Sequence, residues 1–223
     1  MIKLWSTLLP LILASAALPA QTILTLVLAR SSIRSAFAWV AGMTAVRLMQ
    51  GVLFGFVLAA GEKQEGPGSP RYFVGVMLLL LAALLYLKAL RAALGAEDED
   101  ATPPKWVAKA GSMSPWAAFG AGAGFMTINL KNLVFTLGAI SAMTEARISA
   151  TLAVLTFLLF VMLAHSPPLT ILALAASSSQ RSAAILEGLS AWLRDKSRAI
   201  TIVFGLIFGT WFLIKALREL SPN

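Results

Sequence analysis

This sequence predicts an all-α membrane protein, with six transmembrane helices laid out as two inverted three-helix repeats and an interfacial amphipathic helix before the last span. Three observations carry the prediction. Of the 223 residues 58% are hydrophobic and the mean hydropathy is +0.81, with apolar runs of bilayer length recurring along the chain. The tetrapeptide Lys88-Ala89-Leu90-Arg91 at the end of the third run returns as Lys215-Ala216-Leu217-Arg218 at the end of the sixth. The basic residues behind the net charge of +8 gather at the ends of the apolar runs, which anchors spans at an interface and does not make a nucleic-acid surface.

The first half covers residues 1–95. Its first run, 5–29, begins like a signal peptide, with Lys3, an apolar stretch and the small residues Ala14-Ser15-Ala16-Ala17, but it continues through Ile23 to Leu28 and reads as an uncleaved span. Pro19 near its centre removes a backbone donor and predicts a break. A short turn between Arg30 and Arg34 leads to the second span, about 36–60, with Arg47 near its middle and the pair Gly51/Gly55. A polar loop, 61–71, precedes the third span, 72 to about 94. Residues 96–115 form a linker with the acidic run Glu97-Asp98-Glu99-Asp100 and Pro103-Pro104, expected to be a solvated connection.

The second half covers residues 116–223. Its first span, 116–140, carries Asn129-Leu130-Lys131-Asn132 at its centre, preceded by Gly120, Gly122 and Gly124. The fifth span, about 148–176, holds the single histidine in His165-Ser166-Pro167-Pro168, where two prolines predict a second kind of break and carbonyls one turn upstream in need of partners. Residues 182–196 are too polar to span, yet Ile185, Leu189, Trp192 and Leu193 recur at helical spacing, the pattern of an amphipathic helix at the interface. The sixth span runs from 199 to about 217.

The halves can be overlaid so that Gln21 falls on Asn132 and Pro19 on Leu130. Three spans per half would invert one half relative to the other, the plan of many secondary transporters, whose substrate sites lie at the midplane where interrupted helices meet. The loops after spans one, three and five hold Arg30, Arg34, Lys88, Arg91, Lys105, Lys109, Arg181, Arg194, Lys196 and Arg198, ten basic residues. The other side holds six: Lys3, Lys63, Arg71, Arg147, Lys215 and Arg218. The balance favours both termini outside.

The absence of cysteine excludes thiol redox chemistry, disulfides and iron–sulfur clusters. One histidine and no carboxylate within any apolar run argue against a protein-built metal site, and no other cofactor is expected. No nucleophile–base pair, carboxylate dyad or phosphate-binding glycine loop is present, so the reading is not an enzyme.

What remains is binding. Arg47 and Lys131 are two mid-span cations with no carboxylate in any span to neutralise them. A charge at the centre of a span costs at least ~2.5–3.5 kcal/mol. The natural counter-ion is a ligand carrying a carboxylate, phosphate or sulfate, held by Arg47 as a fork and by Lys131 as a point charge. Gln21, Asn129 and Asn132 can add neutral hydrogen bonds. Structural readings stay open beside these. Lys131 can snorkel to an interface, Arg47 can face a lipid phosphate, and His165 can satisfy a freed carbonyl or act as a proton-responsive coupling group. The pairs Gly51/Gly55, Gly120/Gly124 and Gly205/Gly209 mark close helix packing, within the chain or between copies in a homo-oligomer.

Asn129-Leu130-Lys131-Asn132-Leu133 resembles the Asn-Pro-Lys signature in the corresponding helix of the LysE/RhtB exporter superfamily. The stretch Trp192 to Ile200, followed by Gly205 and Gly209, looks like its GAP branch, the glycopeptidolipid- and sulfolipid-addressing proteins. The resemblance spans essentially the whole chain, as layout plus two short motifs. Leu130 stands where the family has proline, which leaves a break in the fourth span open. The resemblance implies export of small solutes, or in this branch movement of polar lipids toward the cell surface. The expectation is therefore a transporter in the bacterial cytoplasmic (inner) membrane that moves an anionic amphiphile, a polar lipid, glycolipid or precursor. An exporter of amino acids or small organic anions, and a non-transporting scaffold for lipid export, are the alternatives.

Overall fold

The computed structural model describes residues 2–17, 19–60, 70–95, 112–177 and 180–221. The acidic run 97–100, Pro103-Pro104 and the polar loop 61–69 lie outside the described residues. Among those described, nine helices and no strand occur: α1 (Ile2–Ala16), α2 (Pro19–Ser31), α3 (Ile33–Ala60), α4 (Pro70–Ala93), α5 (Pro115–Ile128), α6 (Leu130–Glu145), α7 (Ala150–Ala164), α8 (Ser166–Ala176) and α9 (Gln180–Leu220). Three stretches, 33–56, 72–93 and 198–218, are long and apolar enough to cross a membrane, and the number rises to six if each of three bent helix pairs is one span. The described elements are all helices, and the chain is a multi-pass membrane protein.

Each bend has a local cause. Between α1 and α2 the axis turns by 48°, and Pro19 opens α2, where its missing N–H has no intrahelical role. Between α7 and α8 the turn is 61°. There His165 ends one helix and precedes the next, and Pro167 and Pro168 sit in the first turn of α8. At the bend the His165 N–H donates to the Val161 oxygen at 3.0 Å and the His165 oxygen accepts from the Leu169 N–H at 3.0 Å, so this one residue closes α7 and opens α8.

The α5–α6 pair bends most, by 68°, without a proline. Asn129 takes an extended backbone (φ −76°, ψ 94°), and its side-chain oxygen accepts the Asn132 N–H at 3.3 Å, so an asparagine N-cap starts α6 at the break.

One expectation is corrected. The amphipathic stretch 182–196 is not a separate interfacial helix; it runs without interruption into the last span as the 41-residue α9, about 60 Å long at 1.5 Å per residue. The charges at Arg194, Asp195, Lys196 and Arg198 resemble a boundary, but charge does not end a helix, and no proline or glycine lies between Gly188 and Gly205. Only part of this stretch packs on protein: Leu186 is buried with Leu26 of α2 and Ile171 of α8 and Leu189 packs against them, whereas Ile185 and Trp192 are exposed.

α4 and α9 lie antiparallel and close. Gly205 sits against Leu85 and Ala89, Gly209 against Tyr86, and Arg198 donates to the Ala93 carbonyl at the end of α4 at 3.0 Å. Tyr86 and Thr210 hydroxyls are hydrogen-bonded at 2.7 Å. The pair Gly205/Gly209 is thus used inside the chain, and Gly51 lies against Phe157, whereas Gly55, Gly120 and Gly124 face open space. The tightest backbone approach involves glycines outside those pairs: a Cβ on Gly42 would run into the Phe119 carbonyl, and one on Gly122 into the Trp39 carbonyl.

The half-helices sort into two cores. One joins α1, α4, α6, α7 and the end of α9 through Leu8, Leu11, Leu78, Phe135, Phe160 and Phe212. The other joins α2, the first part of α3, α5 and α8 through Leu24, Trp39, Met43, Met126 and Leu172. Between them lie the three bends and the middle of α3.

Candidate functional site

The level between the two cores is polar. Ser15, Gln21, Thr25, Arg47, Gln50, Asn132, Thr136 and His165 are all buried. They come from the end of α1, the start of α2, the middle of α3, the start of α6 and the α7–α8 bend. Continuous helices would have no free ends here. The bends bring helix termini and short polar side chains to one depth, the arrangement by which membrane proteins build midplane sites.

Arg47 is the centre. It is fully buried, and all its polar partners are neutral oxygens. Nη2 donates to Ser15 Oγ at 2.7 Å and to Asn132 Oδ1 at 3.0 Å, and Nε donates to Thr136 Oγ1 at 3.3 Å. Its guanidinium carbon lies 5.5 Å from the Phe160 ring centroid, a cation–π contact that supplies some compensation in an apolar setting. Nη1 has no hydrogen-bond partner.

Ser15 ties the two broken spans to this guanidinium. Its hydroxyl also donates to Asn132 Oδ1 at 3.4 Å, and its carbonyl, near the end of α1, accepts from Gln21 Nε2 at 2.7 Å. The partners fix the amide orientations of Gln21 and Asn132, because a carbonyl can receive only their neighbours' donors. With those orientations set, Gln21 Oε1 and Asn132 Nδ2 are left buried without partners, as are Gln50 Oε1 and His165 Nε2. His165 Nδ1 pairs with Thr44 Oγ1 at 3.4 Å, one turn before Arg47 on α3. A native interior leaves few buried polar groups unpaired. Here Asn132 is bonded to Arg47 directly, Gln21 is linked to it through Ser15, and Gln50 and the His165 partner Thr44 lie one turn to either side of it on α3.

The structure therefore brings Arg47, Asn132 and Gln21 together, with Asn129 behind them as the cap that holds Asn132. Pro19, Pro167 and Pro168 sit at the bends, and His165 joins the cluster through α3. Lys131 is half-buried in the first turn of α6, one residue before Asn132 and so rotated about 100° around the helix axis from it. The hydrogen bonds around Arg47 go to Asn132. Among the described residues no group of three or more His, Asp or Glu could hold a metal ion.

Sequence reasoning passed over Ser15, Thr44, Gln50 and Thr136. A signal existed for two of them: Thr44, Arg47 and Gln50 recur every three residues on α3 and share a face. For Ser15 and Thr136 there was none, since lone hydroxyls in apolar helices usually bond their own backbone, as Thr136 also does to the Asn132 carbonyl at 2.9 Å.

Compared with known proteins, residues 8–218 match the family model described as Sap, sulfolipid-1-addressing protein. No curated protein and no solved structure matches the chain.

Proposed function

The chain belongs to the sulfolipid-1-addressing protein family, and on that premise we propose that it is a six-span transporter moving an anionic amphiphile, a polar lipid or glycolipid or its precursor, across the bacterial cytoplasmic membrane with both termini outside. The observation that carries the reading is Arg47: a buried guanidinium whose partners are all neutral, with one nitrogen unpaired. Neutral hydrogen bonds soften the cost of this charge without cancelling it. An anionic head group would do so, taking Nη1 of Arg47 and Nδ2 of Asn132 as donors at the start of α6, where the helix dipole also favours negative charge. Lys131, on the adjacent face of α6, would meet the head group as a point charge on its way in. His165 is the candidate for coupling.

The inverted repeat and the wider LysE/RhtB relation belong to the same proposal. Support comes from the bends in spans one and four, from the antiparallel α4 and α9, and from Ser15, on which the overlaid residues Gln21 and Asn132 both converge. The test is native mass spectrometry of gently extracted protein beside Arg47→Gln and Lys131→Gln. Wild type should retain an anionic lipid that Arg47→Gln loses and Lys131→Gln holds less well. Equal retention by all three would overturn the head-group reading and favour a soluble organic anion or a scaffold.

A further inference from the structure

The unpaired donors around Arg47 suit an anion, but the unpaired acceptors do not. Gln21 Oε1 and Gln50 Oε1 are buried carbonyl oxygens without partners, on side chains 0% and 5% exposed. Gln21 cannot turn its amide over without losing the 2.7 Å bond from Nε2 to the Ser15 carbonyl. Gln50 lies one turn after Arg47 on the same face of α3, and its amide, held by no hydrogen bond to a described residue, is free to turn its oxygen toward a donor. A carboxylate, a sulfate or a phosphodiester offers only acceptors, so none of these can satisfy two amide oxygens. Left against such a group, each amide oxygen would stay desolvated and meet like partial charge.

Resting on the head-group reading above, we propose that Gln21 and Gln50 are specificity-determining residues that select a head group carrying hydroxyl donors beside its anion. The anion lies on Arg47 Nη1 and Asn132 Nδ2, and the hydroxyls donate to the two glutamine oxygens. His165 Nε2, also unpaired, completes the set as a group able to give or accept one further bond. Arg47 supplies the electrostatic attraction, and the glutamines decide which anionic lipid stays. Discrimination of this kind is strong in buried sites, because a ligand lacking the hydroxyl leaves the protein acceptor unpaired.

The experiment is competition in the purified full-length protein between phosphatidylglycerol and phosphatidylmethanol with identical acyl chains, read as the ratio of bound species by native mass spectrometry. Both are singly charged phosphodiesters; only the first carries free hydroxyls. Wild type should favour phosphatidylglycerol by roughly five- to tenfold. Gln50→Leu, and separately Gln21→Met, should bring the ratio toward one while total occupancy by anionic lipid persists. The ratio in wild type and Gln50→Leu decides the matter even if Gln21→Met, which loses its bond to Ser15, does not fold. A wild-type ratio near one, or a preference untouched by Gln50→Leu, overturns this inference while leaving the head-group reading standing if Arg47→Gln still empties both lipids. Occupancy indifferent to Arg47→Gln removes the head-group reading and this inference with it.

Discussion

A cation kept for a ligand and a cation kept for the fold behave differently when removed, and Arg47 allows the two to be told apart. In Arg47→Met the three oxygens that face the guanidinium do not all become orphans. Ser15 Oγ still donates to Asn132 Oδ1, and Thr136 Oγ1 still donates to the Asn132 carbonyl. The unpaired Nη1 disappears, and a thioether against Phe160 replaces part of the cation–π contact. Replacing buried charge by an apolar side chain of similar size is often neutral or stabilising by ~1–4 kcal/mol. The expected result is a stability within about 1 kcal/mol of wild type, or higher.

Asn132→Ala does the reverse. The charge stays, while Arg47 Nη2 and the Ser15 hydroxyl both lose an acceptor. A hydrogen bond to a charged group contributes ~1.5–3 kcal/mol, so a loss of about 2–3 kcal/mol follows. In the double variant Arg47→Met/Asn132→Ala most of that loss should vanish, since no charge is left to strand. Reversible unfolding in mixed micelles, followed by tryptophan fluorescence, measures all four proteins. If Arg47→Met falls as far as Asn132→Ala, Arg47 is a strut of the fold and its buried charge argues for no ligand.

Other consequences are structural and independent of the ligand. Gly42→Ala and Gly122→Ala drive a methyl into the backbone of the facing helix and should each destabilise by at least ~1–3 kcal/mol in the same titration. Gly120→Ala and Gly124→Ala meet nothing, and should be neutral or gain up to about 1 kcal/mol of helix propensity; a large loss at either would mean that this face is occupied by another copy. Arg147 has φ 47°, in the left-handed region just past α6, so Arg147→Gly should gain up to about 1 kcal/mol, and a clear loss would count against that backbone. If α9 is one helix, hydrogen exchange across residues 190–200 should be as slow as in neighbouring turns. Loop-like exchange there would restore the separate amphipathic helix.

Backbone chemistry made part of this fold legible in advance. Pro19 and the pair Pro167-Pro168 announce two bends because proline acts on its own helix, whatever surrounds it. The bend at Asn129 is a subtler case. The sequence left it open because Leu130 is not a proline; the structure makes the bend with a side-chain cap instead. The continuity of α9 was hidden for the opposite reason. A change of composition from amphipathic to apolar looks like a boundary, but it does not by itself end a helix. Arg47 and Asn132 were recognisable as candidates because charge and amide groups are conspicuous in apolar runs. Ser15 was not, although it joins them, because its role lies in which residues face it across 32 and 117 positions of sequence. The same limit applies to Gln50. Its place beside Arg47 follows from helical spacing, but that its oxygen lacks a partner is a fact of packing. The site's polarity could thus be read residue by residue, whereas its selectivity depends on which of those groups the fold leaves unpaired.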